Sequence, residues 1–424
     1  MTPPFKPALI VLALASGLAS AADDDDALDL KSAEPAPAAA TQAGTGPRLM
    51  LELAALQARG QAGQGSDDGH RAAVDLRWHG KLAEQWRFGL SNRLDDIHPV
   101  LPGQRSTRHH LREAYLGWQS ESGQRSVDLG RINQRHGPAY SYNPTDFFRR
   151  GGTRSVVTAD PIALRENRTG TFMLRASQLW DGGGASLAWA PQLTSSGREN
   201  TTFSLDLDGT NASDRLVLTV GTKASERWSG EALWMVEEGR SPRLGLNLTG
   251  LVTDAAVVHA EWSMAREPTL VDAALGTPAA RERHHQATVG LTFSLPRNLS
   301  VTAEAAYNGA GLNRRDWQSL FAQGPVPVAA LFNATQADQE LAARRAWMVY
   351  ATQKGVLFKQ LDVAAFVRQN AVDHSRLAWA ELRYHWPMFD LALQWQRGSG
   401  KTGTEFGALP YRQVVQAIVA VHFQ

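Results

Sequence analysis

The sequence predicts an all-β protein, a transmembrane antiparallel β-barrel of about 18 strands with a long third external loop folded into its lumen. Three observations support this prediction. Segments of roughly 8 to 12 residues alternate between apolar and polar side chains. The links between these segments are alternately short and long, and the chain closes on an alternating segment with a penultimate aromatic residue, Phe423.

Period-two alternation is clearest in four segments, Ala72–Trp78, His285–Leu295, Leu299–Tyr307 and Phe389–Trp395. In each of them one face is apolar and the other is polar, which predicts strands rather than helices. The length of each segment is close to the roughly 9–11 residues with which a tilted strand crosses a bilayer. It exceeds the usual strand length in a soluble β-sandwich. The polar face also carries charges at mid-strand, as in the wall of a water-filled lumen. These charges are Asp75, Arg77, Glu231, Glu261, Glu304, Glu381 and Arg383.

Eighteen segments fit this pattern. In the first half they cover residues 48–59, 70–80, 84–94, 109–119, 125–134, 169–180, 184–192, 214–222 and 228–237. In the second half they cover residues 242–251, 254–265, 283–295, 298–309, 343–353, 357–369, 375–386, 388–397 and 411–423. A count of 16 is the alternative, because the pattern is weak at 169–192 and 228–251. An even count leaves both chain ends on the periplasmic side.

The links alternate between short turns and long loops. Pro387 and Val252-Thr253 are among the short ones, whereas Arg135–Arg168 and Ala310–Ala342 are among the long ones. Short periplasmic turns and long external loops are typical of outer-membrane barrels. The connections therefore support the strand assignment independently of hydrophobic periodicity.

The last segment, Tyr411 to Gln424, provides a resemblance. Tyr411, Val419, Val421 and Phe423 lie on one face, which only Gln413 interrupts. The segment resembles the C-terminal strand by which Gram-negative outer-membrane proteins engage the barrel-assembly machinery, although there the aromatic residue is usually the last one. The resemblance to porin-type barrels covers residues 48–424. It implies a cell outer-membrane location and contact with outer-membrane lipid, lipopolysaccharide and the assembly machinery.

The N-terminal region predicts export. Residues 1–21 resemble a signal peptide, with Lys6, the apolar run Ala8–Ala15 and small residues at Ala19-Ser20-Ala21. Residues 22–47 are acidic at first and then rich in Ala and Pro, which predicts a disordered periplasmic tail. The absence of cysteine excludes disulfide scaffolds, and a formal charge of +1 gives no overall support for nucleic-acid binding.

The segment Arg131–Arg168 carries seven arginines, three acids and no lysine. It lies between strands five and six and is therefore the third external loop, which in barrels resembling general porins narrows the pore. Pro144 imposes an extended residue before it, and Thr145 or Asp146 can cap a short helix over Phe147–Arg150.

We expect Phe147 and Phe148 to pack on the barrel wall while Arg149, Arg150 and Arg154 face water. Guanidinium groups in a narrow pore bind carboxylate, sulfate or phosphate and favour anions. The alternative is that the arginines pair with wall acids such as Glu113, Asp128 or Glu231 and only fix the loop. The predicted constriction comprises Arg131, Asp146, Phe147, Phe148, Arg149, Arg150, Arg154, Arg165 and Arg168. The predicted lumen wall comprises Asp75, Arg77, Arg87, Glu113, Glu381 and Arg383.

The predicted function is passive diffusion of small hydrophilic solutes, including anionic ones, without a cofactor, a metal or a catalytic residue. The alternative is an export channel for an acidic polysaccharide or another secreted polymer, working with periplasmic partners. Leu129-Gly130-Arg131 followed by His136-Gly137 resembles alginate-export-type barrels. Enzyme motifs such as Gly-x-Ser-x-Gly are absent from the sequence. The sequence is compatible with a homo-oligomer as well as with a monomer, because a subunit interface and a lipid-facing surface are both apolar.

Overall fold

A computed structural model describes residues 46–60, 65–99, 106–194 and 202–423. The described residues form a ring of 18 antiparallel strands in which consecutive strands pair with each other. β1 also pairs with β18, which closes the ring and leaves no open sheet edge. The predicted barrel of 18 strands is confirmed and the count of 16 is wrong. The predicted signal peptide and residues 22–45 of the predicted tail lie outside the described residues.

The first nine strands are β1 Gly46–Gly60, β2 Ser66–Ala83, β3 Trp86–His98, β4 Thr107–Gln119, β5 Arg125–Ile132, β6 Thr171–Trp180, β7 Gly183–Ala190, β8 Arg215–Ser225 and β9 Trp228–Glu237. The other nine are β10 Arg243–Thr253, β11 Ala256–Glu267, β12 Glu282–Leu295, β13 Leu299–Asn308, β14 Arg345–Gln353, β15 Leu361–Asn370, β16 Arg376–His385, β17 Phe389–Ser399 and β18 Tyr411–Phe423. Each lies at a position that the alternation predicts.

Several predicted boundaries require correction. β2 begins at Ser66, four residues earlier than predicted, and β3 ends at His98, four residues later than predicted. Gly46 and Pro47 belong to β1 and not to the tail, because they lie opposite His79 and Trp78 of β2. β15 begins at Leu361, four residues later than predicted. The chain first completes a turn through Gly355, whose φ of 66° suits glycine.

The two faces of the ring differ in polarity. Large apolar side chains project outward, and Leu53 (63%) and Leu246 (52%) are more than half exposed. The alternate positions are buried in the interior and include charged residues such as Glu52, Glu261 and Glu304. An apolar exterior around a charged interior is the arrangement of a barrel that meets lipid on its outer face.

Five helices occur in the loops of the described part of the chain. They are α1 Pro161–Glu166, α2 Leu207–Thr210, α3 Leu270–Leu275, α4 Arg314–Ala322 and α5 Pro325–Ala337. Asp160 caps α1 by accepting a hydrogen bond from the backbone N–H of Ile162, and Pro161 occupies its first turn. Among the described residues, no helix has both the length and the apolar character needed to span a bilayer.

The loop between β5 and β6, residues 133–170 (the β5–β6 loop), crosses the interior of the ring. Its Asn167 Oδ1 accepts a hydrogen bond from Arg77 of β2 at 2.6 Å. Its Ala139 N–H donates to Glu261 of β11 at 2.7 Å. β2 and β11 are half-way round the ring from each other.

The helix predicted over Phe147–Arg150 is wrong, since this stretch forms consecutive turns. The backbone N–H groups of Phe147 and Arg149 donate to the carbonyl oxygens of Thr145 and Asp146, which are too close in sequence for α-helical bonds. The one helix of the loop is α1, which starts where Asp160 and Pro161 supply the capping chemistry.

Candidate pore constriction

Two buried glutamates of the barrel wall hold one edge of the β5–β6 loop. Glu261 accepts a hydrogen bond from the backbone N–H of Ala139 at 2.7 Å. Glu304 accepts from the N–H groups of Tyr140 at 2.7 Å and Ser141 at 2.6 Å. Both carboxylates are almost fully buried, so these bonds satisfy charges that would otherwise be costly to bury. The loop backbone is thereby fixed against β11 and β13.

The two phenylalanines of the loop pack in an apolar cluster between the loop and the wall. Phe147 and Phe148 are 5% and 2% exposed. Their buried neighbours are Ile132, Met173, Ala188, Ala190, Val217, Leu233 and Met235. The cluster joins the loop to the inner faces of β5 to β9. Phe147 and Phe148 thus pack on the barrel wall, as expected.

Arg149 and Arg150 are not free to meet a solute, contrary to the expectation that they face water. Arg149 is 7% exposed and forms a salt bridge with Glu340. Arg150 bridges Glu237 at 2.8 Å and Asp338 at 3.5 Å. Asp338 and Glu340 belong to the loop between β13 and β14, residues 309–344 (the β13–β14 loop). This loop therefore contacts the Arg149–Arg150 turn of the β5–β6 loop and holds it in place.

Further hydrogen bonds join the β13–β14 loop to the β5–β6 loop. The N–H of Gly151 donates to the carbonyl oxygen of Ala337 at 2.9 Å. The side chain of Gln339 donates to the carbonyl oxygen of Gly152 at 2.9 Å. Tyr142 donates its hydroxyl to Glu340 at 2.6 Å. The β13–β14 loop thus binds the β5–β6 loop through both charge and backbone.

Asp146 forms ion pairs with two arginines near the C-terminal end of the β5–β6 loop. It forms a salt bridge with Arg168 at 3.0 Å and a longer one with Arg165 at 3.6 Å. Burial alone would raise the pKa of the Asp146 carboxyl, but the two guanidinium groups lower it below its usual range. Asp146, Arg165 and Arg168 therefore form a closed ionic unit within the loop.

Arg131 lies at the root of the loop. Its guanidinium donates to the carbonyl oxygen of Gly170 at 2.8 Å, to the hydroxyl of Thr210 at 3.2 Å and to the carbonyl oxygen of Leu205. These bonds tie β5 to the neighbouring external loop. They do not present the group to the centre of the barrel.

Arg154 is the predicted loop arginine that stays exposed. In the described part of the chain neither Arg154 nor Arg368, an inner-face residue of β15, forms an ion pair with a carboxylate. Desolvation by the surrounding wall, with the nearby charges of Arg168 and Arg368, lowers the pKa of Arg154 to about 10. The side chain is therefore still cationic at neutral pH.

A carboxyl of the same loop titrates near neutrality. Burial first, and then the nearby charge of Glu381, raise the pKa of Asp160 to about 7. The hydroxyl of Tyr350 lies 3.4 Å from its carboxyl oxygen. Asp160 can therefore add a negative charge to this side of the loop as the pH rises.

The predicted wall residues next to the loop are bonded within the protein. Asp75 forms salt bridges with Arg112 and, at 3.3 Å, with Arg93. Arg77 donates to the loop residue Asn167, as described above. Glu113 accepts from a loop backbone N–H at 3.1 Å. Arg77 and Glu113 thus fix the loop at β2 and β4.

The remaining predicted wall residues are also paired. Arg87 bridges Asp128 at 2.9 Å and Arg383 bridges Glu381 at 2.6 Å. Glu113, Asp128 and Glu231, which the sequence suggested as partners of the loop arginines, bind other groups. The acidic partners of the loop arginines are instead Asp146 and Glu166 of the loop itself, with Glu237, Asp338 and Glu340 outside it.

Several residues that hold the loop were missed as site residues. Glu261 and Glu304 were visible in the sequence as mid-strand charges, but nothing there linked them to the loop backbone. Glu340 and Asp338 lie in another long loop, and Glu237 ends a strand. Their pairing depends on loop conformation, for which the sequence carries no periodic signal.

The C-terminal strand closes the barrel. Val419 (38%) and Phe423 (43%) are exposed on the outer face, and Val421 lies at an alternate position between them. Tyr411 donates its hydroxyl to Asp67 of β2 at 2.7 Å. Val419 and Phe423 of the predicted assembly signal thus lie on the outward-facing side of β18.

The backbone is similar to those of solved outer-membrane porins. With OccAB1 of Acinetobacter baumannii the TM-score is 0.56 at 9% identity, covering 89% of this chain and 96% of that one. With OccK8 (OprE) of Pseudomonas aeruginosa it is 0.55 at 8% identity, covering 89% and 97%. With OccK5 (OpdH) of the same organism it is 0.52 at 10% identity, covering 89% and 97%. No protein-family model and no curated protein sequence matches this chain. The chain has the porin-type barrel fold.

Proposed function

We propose that the protein is an outer-membrane pore for the passive diffusion of small hydrophilic solutes. The observation that carries the proposal is the combination of a closed 18-stranded ring, an apolar exterior and a charged interior. The likeness of the backbone to outer-membrane porins supports the same function and location. No cofactor or catalytic residue is part of this proposal.

The anion preference is assigned to Arg154 and Arg368. The other predicted arginines of the loop are bonded to acids or carbonyl oxygens, so their charges are largely compensated within the protein. An exposed guanidinium without a carboxylate partner attracts anions and can bind them bidentately. The proposed selectivity element is therefore smaller than the arginine-rich segment suggests.

The proposed partners are outer-membrane lipid, lipopolysaccharide and the barrel-assembly machinery. The exposed apolar residues of β18, including Val419 and Phe423, support contact with lipid and with the machinery. The same apolar exterior is compatible with a homo-oligomer. Crosslinking of detergent-solubilised protein measures the oligomeric state.

Export of an acidic polymer is the alternative. The fixed position of the β5–β6 loop argues against it, because the bonds at Glu261, Glu304 and Glu340 would have to break before a chain could pass. These bonds are charge-assisted and buried, and each contributes about 1.5–3 kcal/mol. A small solute needs no such movement.

Permeability of proteoliposomes tests the proposal. Vesicles containing the purified protein should release a small hydrophilic dye or sugar down its gradient and retain a dextran. Vesicles that retain the small solute, although the protein is folded, would contradict passive diffusion. Vesicles that release only an acidic polymer would favour export.

A further inference from the structure

Two exposed arginines lie directly opposite each other on the outer face of the barrel. Arg266 of β11 is the cross-strand partner of Arg283 of β12. Glu267, the residue after Arg266, points into the barrel, where it forms a salt bridge with the buried Arg243 at 2.5 Å. Since side chains alternate along a strand, Arg266 and its partner Arg283 point outward. Like charges in directly opposed positions destabilise a sheet, so this pair calls for a compensating anion.

The protein itself does not supply that anion. Within the ranges that the structure describes, neither Arg266 nor Arg283 forms a salt bridge with a carboxylate. The nearest acids in sequence, Glu267 and Glu282, lie opposite each other in the register that alternates with the arginine pair. Directly opposed residues have their Cβ atoms about 5 Å apart, so one anion can contact both guanidinium groups.

The arginine pair stands above a band of apolar side chains. Leu295, Phe293 and Val289 are exposed on the same face of β12. From Leu295 to Arg283 the strand is about 40 Å long at about 3.3 Å per residue, and a tilt of about 40° reduces this to about 30 Å along the membrane normal. The apolar band of such barrels is about 25 Å tall. The pair therefore lies just beyond the band, on the side of the long loop 268–281, at the level of lipid headgroups.

The row below the arginines joins the charged and apolar parts of this surface. His285 of β12 is exposed and lies opposite Met264 of β11. Its ring also contacts the indole of Trp262, with ring centroids 5.7 Å apart. Trp262 and the exposed Val289 continue the surface toward the middle of the band. The patch thus offers cations at its external end and an aromatic and aliphatic surface beneath them.

We propose that Arg266 and Arg283 bind a phosphate group of a phosphorylated glycolipid of the outer leaflet, the lipid A part of lipopolysaccharide, whose acyl chains lie against Trp262 and Val289. Guanidinium groups bind phosphate oxygens bidentately, so the phosphate replaces the repulsion between the two arginines with two attractive contacts. The inference rests on the proposed outer-membrane location and does not depend on what the pore conducts.

The test counts lipid molecules bound to the full-length protein in neutral detergent by native mass spectrometry. Purified diphosphorylated lipid A is titrated, beside the same lipid without its phosphates and beside phosphatidylglycerol. Arg266→Gln with Arg283→Gln removes both charges. Arg283→Glu instead places an acid opposite Arg266, which gives a favourable cross-strand pair and preserves folding. The matched control is Arg314→Gln with Arg315→Gln, which removes two exposed charges from α4 in another external loop.

Both sets of variants at Arg266 and Arg283 should raise the Kd for diphosphorylated lipid A by at least about tenfold, whereas the α4 variant should keep the wild-type Kd. Without lipid, Arg266→Gln with Arg283→Gln should melt at or above the wild-type temperature, because the repulsion is gone. Added lipid A should then raise the melting temperature of the wild type and not that of the variant.

A wild-type Kd in the folded variants would overturn the site. Equal wild-type affinity for lipid A without phosphates would exclude phosphate recognition, and equal affinity for phosphatidylglycerol would make the occupant an ordinary phospholipid. Single-channel current separates this inference from the proposed function. A wild type that conducts but does not bind lipid A contradicts only the lipid site, and one that binds lipid A but does not conduct contradicts only the pore.

Discussion

Arg154→Gln removes an exposed guanidinium group that has no carboxylate partner in the described part of the chain. The substitution keeps a polar side chain of similar length and breaks no ion pair seen in that part. It therefore changes the charge of the candidate constriction while leaving the bonds that fix the loop at Glu261, Glu304 and Glu340 in place. Arg154→Lys is the matched control, because it keeps the charge.

The expected magnitude follows from the exposure of Arg154. Two unit charges at about 4 Å interact by about 1 kcal/mol in water and more strongly where the wall lowers the dielectric. One kcal/mol corresponds to about a fivefold change in the relative permeability of anions and cations. At about 0.1 M salt the screening length is about 10 Å, so the interaction survives in an ordinary bilayer experiment.

The assay is the reversal potential of single channels across a potassium chloride gradient. We expect Arg154→Gln to reduce the chloride-to-potassium permeability ratio by at least about fivefold. Arg154→Lys should stay close to wild type. An unchanged ratio in Arg154→Gln would exclude a role for Arg154 in ion selectivity and assign the loop arginines to structure alone.

Three further predictions concern the loop. Glu304→Gln weakens two backbone bonds to a buried carboxylate at about 1.5–3 kcal/mol each, so open-channel current noise should rise; noise equal to wild type would argue against a fixed loop. Phe147→Ala should lower the free energy of unfolding by about 3–5 kcal/mol in urea titrations of micelle-bound protein, and a loss below about 1 kcal/mol would contradict the buried packing. Asp160 has a pKa raised to about 7, so its contribution to stability is fully present below its unfolded value near 3.8 and is lost as the pH rises through about 7. Ionisation of Asp160 should also reduce the anion preference of the channel as the pH rises through about 7. Asp160→Asn should remove the pH dependence of both stability and anion preference over this range. If the variant keeps the wild-type pH profiles of both quantities, Asp160 is not the titrating group.

The barrel could be predicted from the sequence because its determinants are local and periodic. Alternation such as that of Ala72–Trp78 assigns one face to lipid and one to the interior without knowledge of any neighbour. Turn residues then separate the strands. Boundaries were less certain where a turn carries apolar residues, as in the stretch before Leu361.

The constriction could be predicted only in outline. The composition of Arg131–Arg168 identified the loop, and Phe147 was correctly expected to pack on the wall. The partners of Arg149 and Arg150 were not predictable, because Glu340 and Glu237 are far away in sequence and reach the loop only through the fold.

We propose that this chain forms a pore that is open without any cofactor or partner. The most direct measurement is the current through purified, folded protein inserted into a planar bilayer in potassium chloride. We expect discrete insertion steps with a steady current that varies linearly with voltage. Repeated insertion of folded protein without any current, or current that appears only after the β5–β6 loop is shortened, would contradict it.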